Sequence, residues 1–447
     1  MRPWGAHPRA HQGANALTGY AAPRHSPAGP LAEIHRRRAE GALQAALSAT
    51  TQINLLEEAI ACAVRDAEEL MEEEVALRAG DRYERSPGRE GYRNGTAPGY
   101  VALGGRKLKL RRPRLCTQDG RDLPLVSYPA MQDPGILDRA ALGKVIDGVA
   151  QRQAHESYAR DQPVPADREA YGDSKSSISR RWIAATGQSL AEQMNRRLDD
   201  RRYLAILLDG KGFGEHLLVT ALGIDEGGHK RVLGIRDGGS EDQRVCAALL
   251  QDLTDRGLDV GAGVLVVIDG GKGLAAAVRA LWGDVAVVGR CREHKKRNVI
   301  KHLPKSEHRW VRQALWRAWH LADVEEAERE LRALATELEP RWKEAAASLR
   351  EGLAETMTCQ RLGLPRELAA ALGTTNLIES AFATTECICG RVRRWRNAAQ
   401  AKRWATMALL KAERGFGVVA PEEAMAELAK SLERQLRERA VARPLAV

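Results

Sequence analysis

Between residues 203 and 288 the hydrophobic period switches from strand-like runs to helical spacing, and the order of those segments admits few folds. Residues 203–208 form a short apolar run followed by Asp209-Gly210. Residues 217–224 predict a second strand, the 225–229 stretch with Gly227-Gly228 a turn, and residues 230–236 a third strand. Residues 242–256 then carry Val245, Leu249 and Leu253 on one helical face, with Gly257 at the end. Residues 264–268 are a continuous apolar run, as a strand covered on both faces requires, and Asp269-Gly270 follows. Residues 274–282 predict a helix and 285–288 a fifth strand. The resulting order, β-β-β-α-β-α-β, is an α/β arrangement. Crossover topology places the first and fourth strands side by side and parallel, with Asp209 and Asp269 at the same sheet end. Two carboxylates brought together there repel each other unless a cation lies between them.

Hard divalent cations such as Mg²⁺ take oxygen ligands, typically a few carboxylates completed by water and phosphate oxygens. Two ions about 3.5–4 Å apart steady the attacking and leaving oxygens of a phosphoryl transfer, and such a site needs a third carboxylate. The next conspicuous acidic residue in a polar, capped setting is Glu379, within Thr374-Thr375-Asn376-Leu377-Ile378-Glu379-Ser380. Thr375 or Asn376 can cap a helix there, which places Glu379 near its first turn. Glu379 suits a capping-box carboxylate as well as a third ligand.

The rest of the chain divides by pattern. Residues 1–38, rich in Gly, Ala, Pro and His, predict a flexible leader. Residues 39–130 predict a helical and β-hairpin module. In it Leu55, Leu56, Ile60, Val64 and Leu70 recur at helical spacing, and Tyr100 to Leu110 reads as a hairpin turning at Gly104-Gly105. Arg106, Lys107, Lys109, Arg111, Arg112 and Arg114 make that hairpin basic, a solvated face or a phosphate-contacting ribbon. Residues 131–200 predict a helical region in which Asp173 or Ser174 caps a helix. Lys175 and Arg180 lie on its polar side and Ile178 and Trp182 on the other, which resembles the second helix of a helix-turn-helix. Residues 201–295 hold the strand–helix alternation and residues 296–372 a dense helical pattern. Residues 373–415 carry Glu379, and residues 416–447 predict a helical tail.

Lys and Arg exceed Asp and Glu by enough to give a formal net charge of +10, which favours a polyanionic partner such as nucleic acid. The basic residues cluster beside the carboxylate motifs: Arg290, Arg292, Lys295, Lys296, Arg297 and Lys301, then Arg391, Arg393, Arg394 and Arg396 around Trp395. Cations around an aromatic suit phosphate contact with base stacking. Seven scattered cysteines predict no disulfide framework and a reduced, cytoplasmic setting. No stretch approaches 18 apolar residues, so no membrane span is expected.

Four segments, in order, resemble the Mutator-type transposases of bacterial insertion sequences. They are Leu207-Leu208-Asp209-Gly210, Val267-Ile268-Asp269-Gly270, Cys291-Arg292-Glu293-His294 with Lys296-Arg297-Asn298, and the Thr374–Ser380 segment. The aspartates are 60 residues apart, and 110 residues separate the second from Glu379. The resemblance implies a ribonuclease H-like catalytic domain with an all-helical insertion, preceded by helical and β-hairpin DNA-binding modules. It implies that Asp209, Asp269 and Glu379 form a DDE triad holding two Mg²⁺ ions, with Mn²⁺ able to substitute. The reaction would be cleavage at element ends and strand transfer into target DNA. The partners would be the terminal inverted repeats, target DNA and further copies of the chain, with the protein at the nucleoid when bound to DNA. Cys291, His294 and Asn376 would be signature residues. His294 would help position the DNA end, while the Cys291/His294 pair read alone also suits a structural role or half a zinc site. A ribonuclease H-like nuclease without strand transfer and a non-catalytic DNA-binding descendant are the alternatives. Glu386, two helical turns past Glu379, is the substitute third carboxylate.

Overall fold

The computed structural model describes residues 49–83, 88–238 and 243–442. The expected leader, and any start of the first helix before Ala49, lie outside the described residues. The first helix, α1 (Ala49–Ala79), packs on an antiparallel hairpin, β1 (Tyr92–Leu103) and β2 (Arg106–Cys116). Gly104 and Gly105 make the tight turn with φ of 56° and 83°, the pair of positive values that a two-residue hairpin loop of this hand demands. Short strands β3 (Asp122–Leu123) and β4 (Ala170–Tyr171) both pair with β2.

The buried stripe of α1 differs from the one expected. Val64, Ala67, Met71, Val75 and Ala79 face Leu108, Leu110 and Leu115, whereas Leu55, Leu56 and Leu70 are 62%, 42% and 52% exposed. Two overlapping apolar stripes run along this helix, and a narrow hairpin covers only one of them. Helices α2 (Ser127–Ala130), α3 (Pro134–Ile146), α4 (Ala154–Asp161) and α5 (Lys175–Asn195) follow. Ser174 caps α5 by accepting from the Ser177 N–H at 3.4 Å. Ile178 and Trp182 are buried against Ala141, Val145 and Tyr158, on the opposite side from exposed Lys175 and Arg180.

The second sheet has the order β7-β6-β5-β8-β9, formed by β5 (Tyr203–Phe213), β6 (His216–Asp225), β7 (Lys230–Gly238), β8 (Val264–Ile268) and β9 (Ala286–Arg290). The first three run antiparallel, while β5–β8 and β8–β9 are parallel. Helices α6 (Gln243–Asp255) and α7 (Lys272–Trp282) cover one face through a core that includes Ile206, Leu208, Val266 and Ile268. The other face, with Ala205, Leu207, Leu265 and Val267, packs against α14 (Asn376–Cys389), α15 (Ala398–Glu413) and α16 (Glu422–Ala442). In sequence between these two sets run α8 (Arg292–Ile300), α9 (His308–Trp319), α10 (Val324–Leu338), α11 (Lys343–Arg350), α12 (Thr358–Arg361) and α13 (Arg366–Leu372). Residues from Val299 to Met357 enclose a hydrophobic core of their own. Among the described residues no helix is long and apolar enough to cross a membrane.

One boundary departs from expectation in a way that matters. β5 does not stop at Asp209-Gly210: it continues paired with β6, Asp209 opposite Thr220, to a turn at Gly214 with φ of 61°. What ends at Leu208 is the unbroken run of buried apolar residues, because beyond it the neighbouring parallel strand β8 has ended at Ile268.

Glu74 ties α1 to the chain beyond the hairpin. Its carboxylate accepts from the Val126 N–H (2.8 Å), the Ser127 N–H (2.9 Å) and hydroxyl (2.6 Å), and Arg78 (2.9 Å). Burial alone would raise its pKa, but these donors hold it at about 2. A depressed carboxyl contributes stability that is complete above the unfolded pKa and is lost as pH falls toward the folded one. Each tenfold gain in acidity corresponds to about 1.4 kcal/mol, so we expect Glu74→Gln to destabilise this module by about 3 kcal/mol at pH 6. The difference from the wild type should shrink between pH 4.5 and 2, as followed by hydrogen exchange of the α1 and hairpin amides.

Candidate active site

Parity along the strands decides where the acidic side chains go. From Ala205 the side chains of β5 alternate faces, so Asp209 shares the face of Ala205 and Leu207, the one covered by α14. Leu208 is paired with Ile268, so Asp209 and Asp269 are the next residues of two adjacent parallel strands. Asp209 is 6% exposed, and Asp269 is partly buried. Asp209 accepts from the Gly210 N–H at 2.9 Å and Asp269 from the Gly271 N–H at 2.7 Å.

Glu379 arrives on the first turn of α14. Asp209, Glu379 and His294 each offer one ligand atom, and the three atoms lie within 4.8 Å of one another. Asp269 is not in that set, though its charge acts on both Asp209 and His294. Burial pushes the Asp209 carboxyl up to about 6; His294 opposes the rise, while Asp269 and Glu379 add to it. His294 is raised to about 9 by its pairing with Cys291 and by the charges of Cys291, Asp209 and Asp269, against its burial. The protein thus places its own cations among the carboxylates. Glu379 accepts from Arg297 at 3.1 and 3.3 Å and faces His294 Nε2 at 3.7 Å.

Glu379 is not engaged as a capping-box carboxylate. Thr375 holds the N-cap position of α14, but its side chain makes no capping bond, and its backbone N–H donates instead to Cys291 Sγ at 3.2 Å. The Thr375 hydroxyl also lies 3.2 Å from that sulfur, 3.2 Å from His294 Nδ1 and 3.5 Å from Glu379 Oε1. With the hydroxyl donating to sulfur and His294 protonated, Nδ1–H donates to Thr375 and Nε2–H points toward Glu379.

Cys291 sits at the centre of this junction. It is buried, and it N-caps α8 by accepting from the His294 N–H at 3.5 Å. Burial would raise its thiol, but hydrogen bonding with His294 and Thr375 leaves it below its ordinary value. All seven cysteines are free thiols, and among the described residues no group of three potential metal ligands includes Cys291. Cys387 is exposed and Cys389 lies in the core, so they supply no second half of a zinc site. Sequence pattern offers Thr375 only as a helix cap; its contact with Cys291 spans 84 residues, and local pattern carries no trace of it.

The basic residues part company. Arg290 and Arg292 are 6% and 7% exposed, and their guanidinium groups are taken up by hydrogen bonds within the protein, with Arg292 also at the wall of a groove lined by Glu293 and Lys296. Arg290 donates to the Glu351 carbonyl and carboxylate at 3.2 Å, and its guanidinium occupies the space where a Cβ on Gly270, with φ of 105°, would be. Arg292 donates to the Thr356 and Trp319 carbonyls and to Gln360. Lys295, fully buried, donates to the Ser348 carbonyl at 2.6 Å and to the Glu351 carbonyl; burial, with Arg290 nearby, lowers it to about 8. These cations satisfy carbonyls in and beside the helices between 343 and 361 and, through Arg292, at the end of α9. Lys296 pairs with Glu293 at 2.6 Å.

Trp395 is not an open stacking platform: it packs edge-on to Phe213 at 5.7 Å and against Trp404. The arginines around it, Arg391, Arg393, Arg394 and Arg396, are all exposed. Arg391 and Lys175, distant in sequence, line one groove together with Arg152. Asn376 is the exposed first residue of α14. Glu386 pairs with Lys211 and is 62% exposed, outside the carboxylate cluster.

The Cys291 junction has a measurable consequence. Cys291→Ala leaves the buried Thr375 N–H without an acceptor, a loss of about 1–3 kcal/mol. Cys291→Ser, which restores a capping oxygen, should recover most of it. Chemical denaturation of the full chain checks the order wild type, Ser, Ala; equal stability of the Ala and Ser variants would contradict it.

Residues 34–397 match the family described as transposase, Mutator family. The chain is 29% identical to the transposase for insertion sequence element IST2 of Acidithiobacillus ferrooxidans, over 46% of this chain and 69% of that one. It is 32% identical to the transposase for IS6120 of Mycolicibacterium smegmatis, over 37% and 50%. It is 25% identical to the transposase for IS256 in transposon Tn4001 of Staphylococcus aureus, over 66% and 75%. Since the family match runs from ahead of α1 through both sheets and past Glu379, the chain belongs to the Mutator family of transposases.

Proposed function

We propose that this chain carries out DNA transposition at a site formed by Asp209, Asp269 and Glu379 on a ribonuclease H-like core. The observation that carries this is the meeting of Asp209, on the strand parallel to and beside β8, with Glu379 from a helix 170 residues further on. The donor set suits hard divalent cations: carboxylate oxygens dominate it, and a buried carboxylate flanked by two more calls for positive charge. Asp209, Asp269 and Glu379 would hold two Mg²⁺ ions, with Mn²⁺ able to substitute. When bound, they supply charge neutralisation and activation of a water or 3′-OH nucleophile.

The chain's own residues do the positioning. Asp209 is fixed by its strand and by the Gly210 N–H, and Glu379 is aimed by Thr375, His294 and Arg297. His294 and Arg297 bring positive charge to the cleft mouth, where a scissile phosphate would enter. The substrates we assign are the element's terminal inverted repeats and, in the joining step, target DNA, with the chain acting as a homo-oligomer at the nucleoid. In this reading residues 39–130 and 131–200 are DNA-binding modules, with Lys175, Arg180, Arg391, Arg393, Arg394 and Arg396 on phosphates. Residues 201–295 and 373–415 form the catalytic core, 296–372 its helical insertion and 416–447 the tail.

The test uses the purified full chain, DNA carrying the element ends, and Mg²⁺. Cleaved ends and joined product are expected, and both disappear on chelation of the metal. Asp209→Asn and Glu379→Gln should each lower cleavage by about two orders of magnitude or more, while Glu386→Gln stays near wild type. Full activity in Asp209→Asn would sink the assignment; cleavage without joined product would make the protein a nuclease.

A further inference from the structure

Beside the carboxylate cleft, on the neighbouring side of α8, lies a groove of about 1020 Å³. Glu293 and Lys296 of α8, close to His294 in sequence, line one wall, and Thr374, next to Thr375, lies at its edge. The opposite wall is α9. That helix buries Val311, Leu315, Ala318 and Trp319, yet leaves Trp316 59% exposed toward the groove. The Trp316 ring stacks on His320 at 4.2 Å and 26°, and His320 Nδ1 lies 2.7 Å from the Trp316 carbonyl. One face of the indole is therefore braced by His320, and the side chain remains largely exposed.

The charges around it are mixed but lean positive. Arg312, Arg317 and Lys296 line the groove with Glu293 and Glu337. Lys296 is held by Glu293 and Arg317 by Glu330, whereas Arg312, among the described residues, has no acidic partner. An exposed, braced indole with arginines beside it is the arrangement that binds a nucleobase by stacking, without regard to its identity, while cations take the flanking phosphates. The cleft also supplies a need for it. In the complex inferred below, the strand bends out of a regular duplex to bring its phosphate toward Asp209, which is almost fully buried. Unstacking a base opposes that, and stacking on an aromatic side chain offsets it.

We propose that this groove receives one unstacked base of the DNA strand next to the cleaved phosphodiester, stacked on Trp316, with Arg312 and Lys296 on adjacent phosphates. The proposal rests on the catalytic assignment above for its substrate, but its test does not use cleavage. Affinities for element-end DNA are measured without metal on the full chain carrying Asp209→Asn, with and without Trp316→Ala or Trp316→Phe. Trp316 is exposed, and an unchanged thermal unfolding midpoint verifies that each variant folds. Trp316→Ala should weaken binding about tenfold and Trp316→Phe much less. A single abasic residue, moved position by position past the cleaved bond, should erase the effect of Trp316→Ala at one or two adjacent positions. Equal affinities for Trp316→Ala and its parent, or a loss that no abasic position erases, would overturn the proposal. If Asp209→Asn itself proves fully active in cleavage, the catalytic assignment falls while the groove is still judged on these affinities.

Discussion

Asp209 lies almost wholly buried on the central strand, where burial, reinforced by Asp269 and Glu379, lifts its carboxyl to about 6. Repulsion among carboxylates in a half-closed cleft governs what can stand around them. His294 and Arg297 are both drawn to Glu379, and His294 is held toward its protonated form by Cys291 and the two aspartates. Such a cleft favours any arriving cation, and it would attract a phosphate only once the negative charge is neutralised.

Holding that cleft together is a problem of long-range assembly. Asp209 and Asp269 directly follow the paired residues Leu208 and Ile268, but seven α-helices lie in sequence between Asp269 and the helix that carries Glu379. The join is made at Cys291, whose sulfur caps α8 and takes the backbone and side chain of Thr375 at the start of α14. Beside it the Arg292 N–H donates to the Gly373 carbonyl at 3.0 Å. Arg290, Arg292 and Lys295 then reach into the intervening helices and saturate their carbonyls. Removing one of these acceptors would leave a buried charge short of a partner, which is costly. The intervening helices, with a core of their own, are thereby fixed to the sheet edge that carries the carboxylates, and α9 turns Trp316 toward the groove beside them.

Strand order was legible because a fully covered sheet needs unbroken apolar runs, and those at 203–208 and 264–268 leave little choice. Helix faces were less so. In α1, Leu55, Leu56 and Leu70 look as apolar as Val64, Met71 and Val75, and only the narrow hairpin decides which set is covered. The basic run after β9 misleads in the opposite direction. Arg290 and Arg292 have the composition of a DNA-facing patch, yet helices 60 residues on close over them. Trp395 likewise has the setting of a platform among arginines, but Phe213 and Trp404 pack against it.

The sequence by itself determined the α/β order, the parallel neighbours β5 and β8, and hence the placing of Asp209 and Asp269 at the same sheet end, because hydrophobic period and connection handedness are local or near-local properties. It left Glu379 poised between helix cap and site residue, since both roles ask for the same residue three or four positions into a helix. Only the tertiary structure shows which contacts Glu379 makes: Cys291 takes the Thr375 N–H, and Glu379 stands beside His294, Arg297 and Asp209. Contacts across more than 80 residues depend on how whole helices dock, and no spacing along the chain records that.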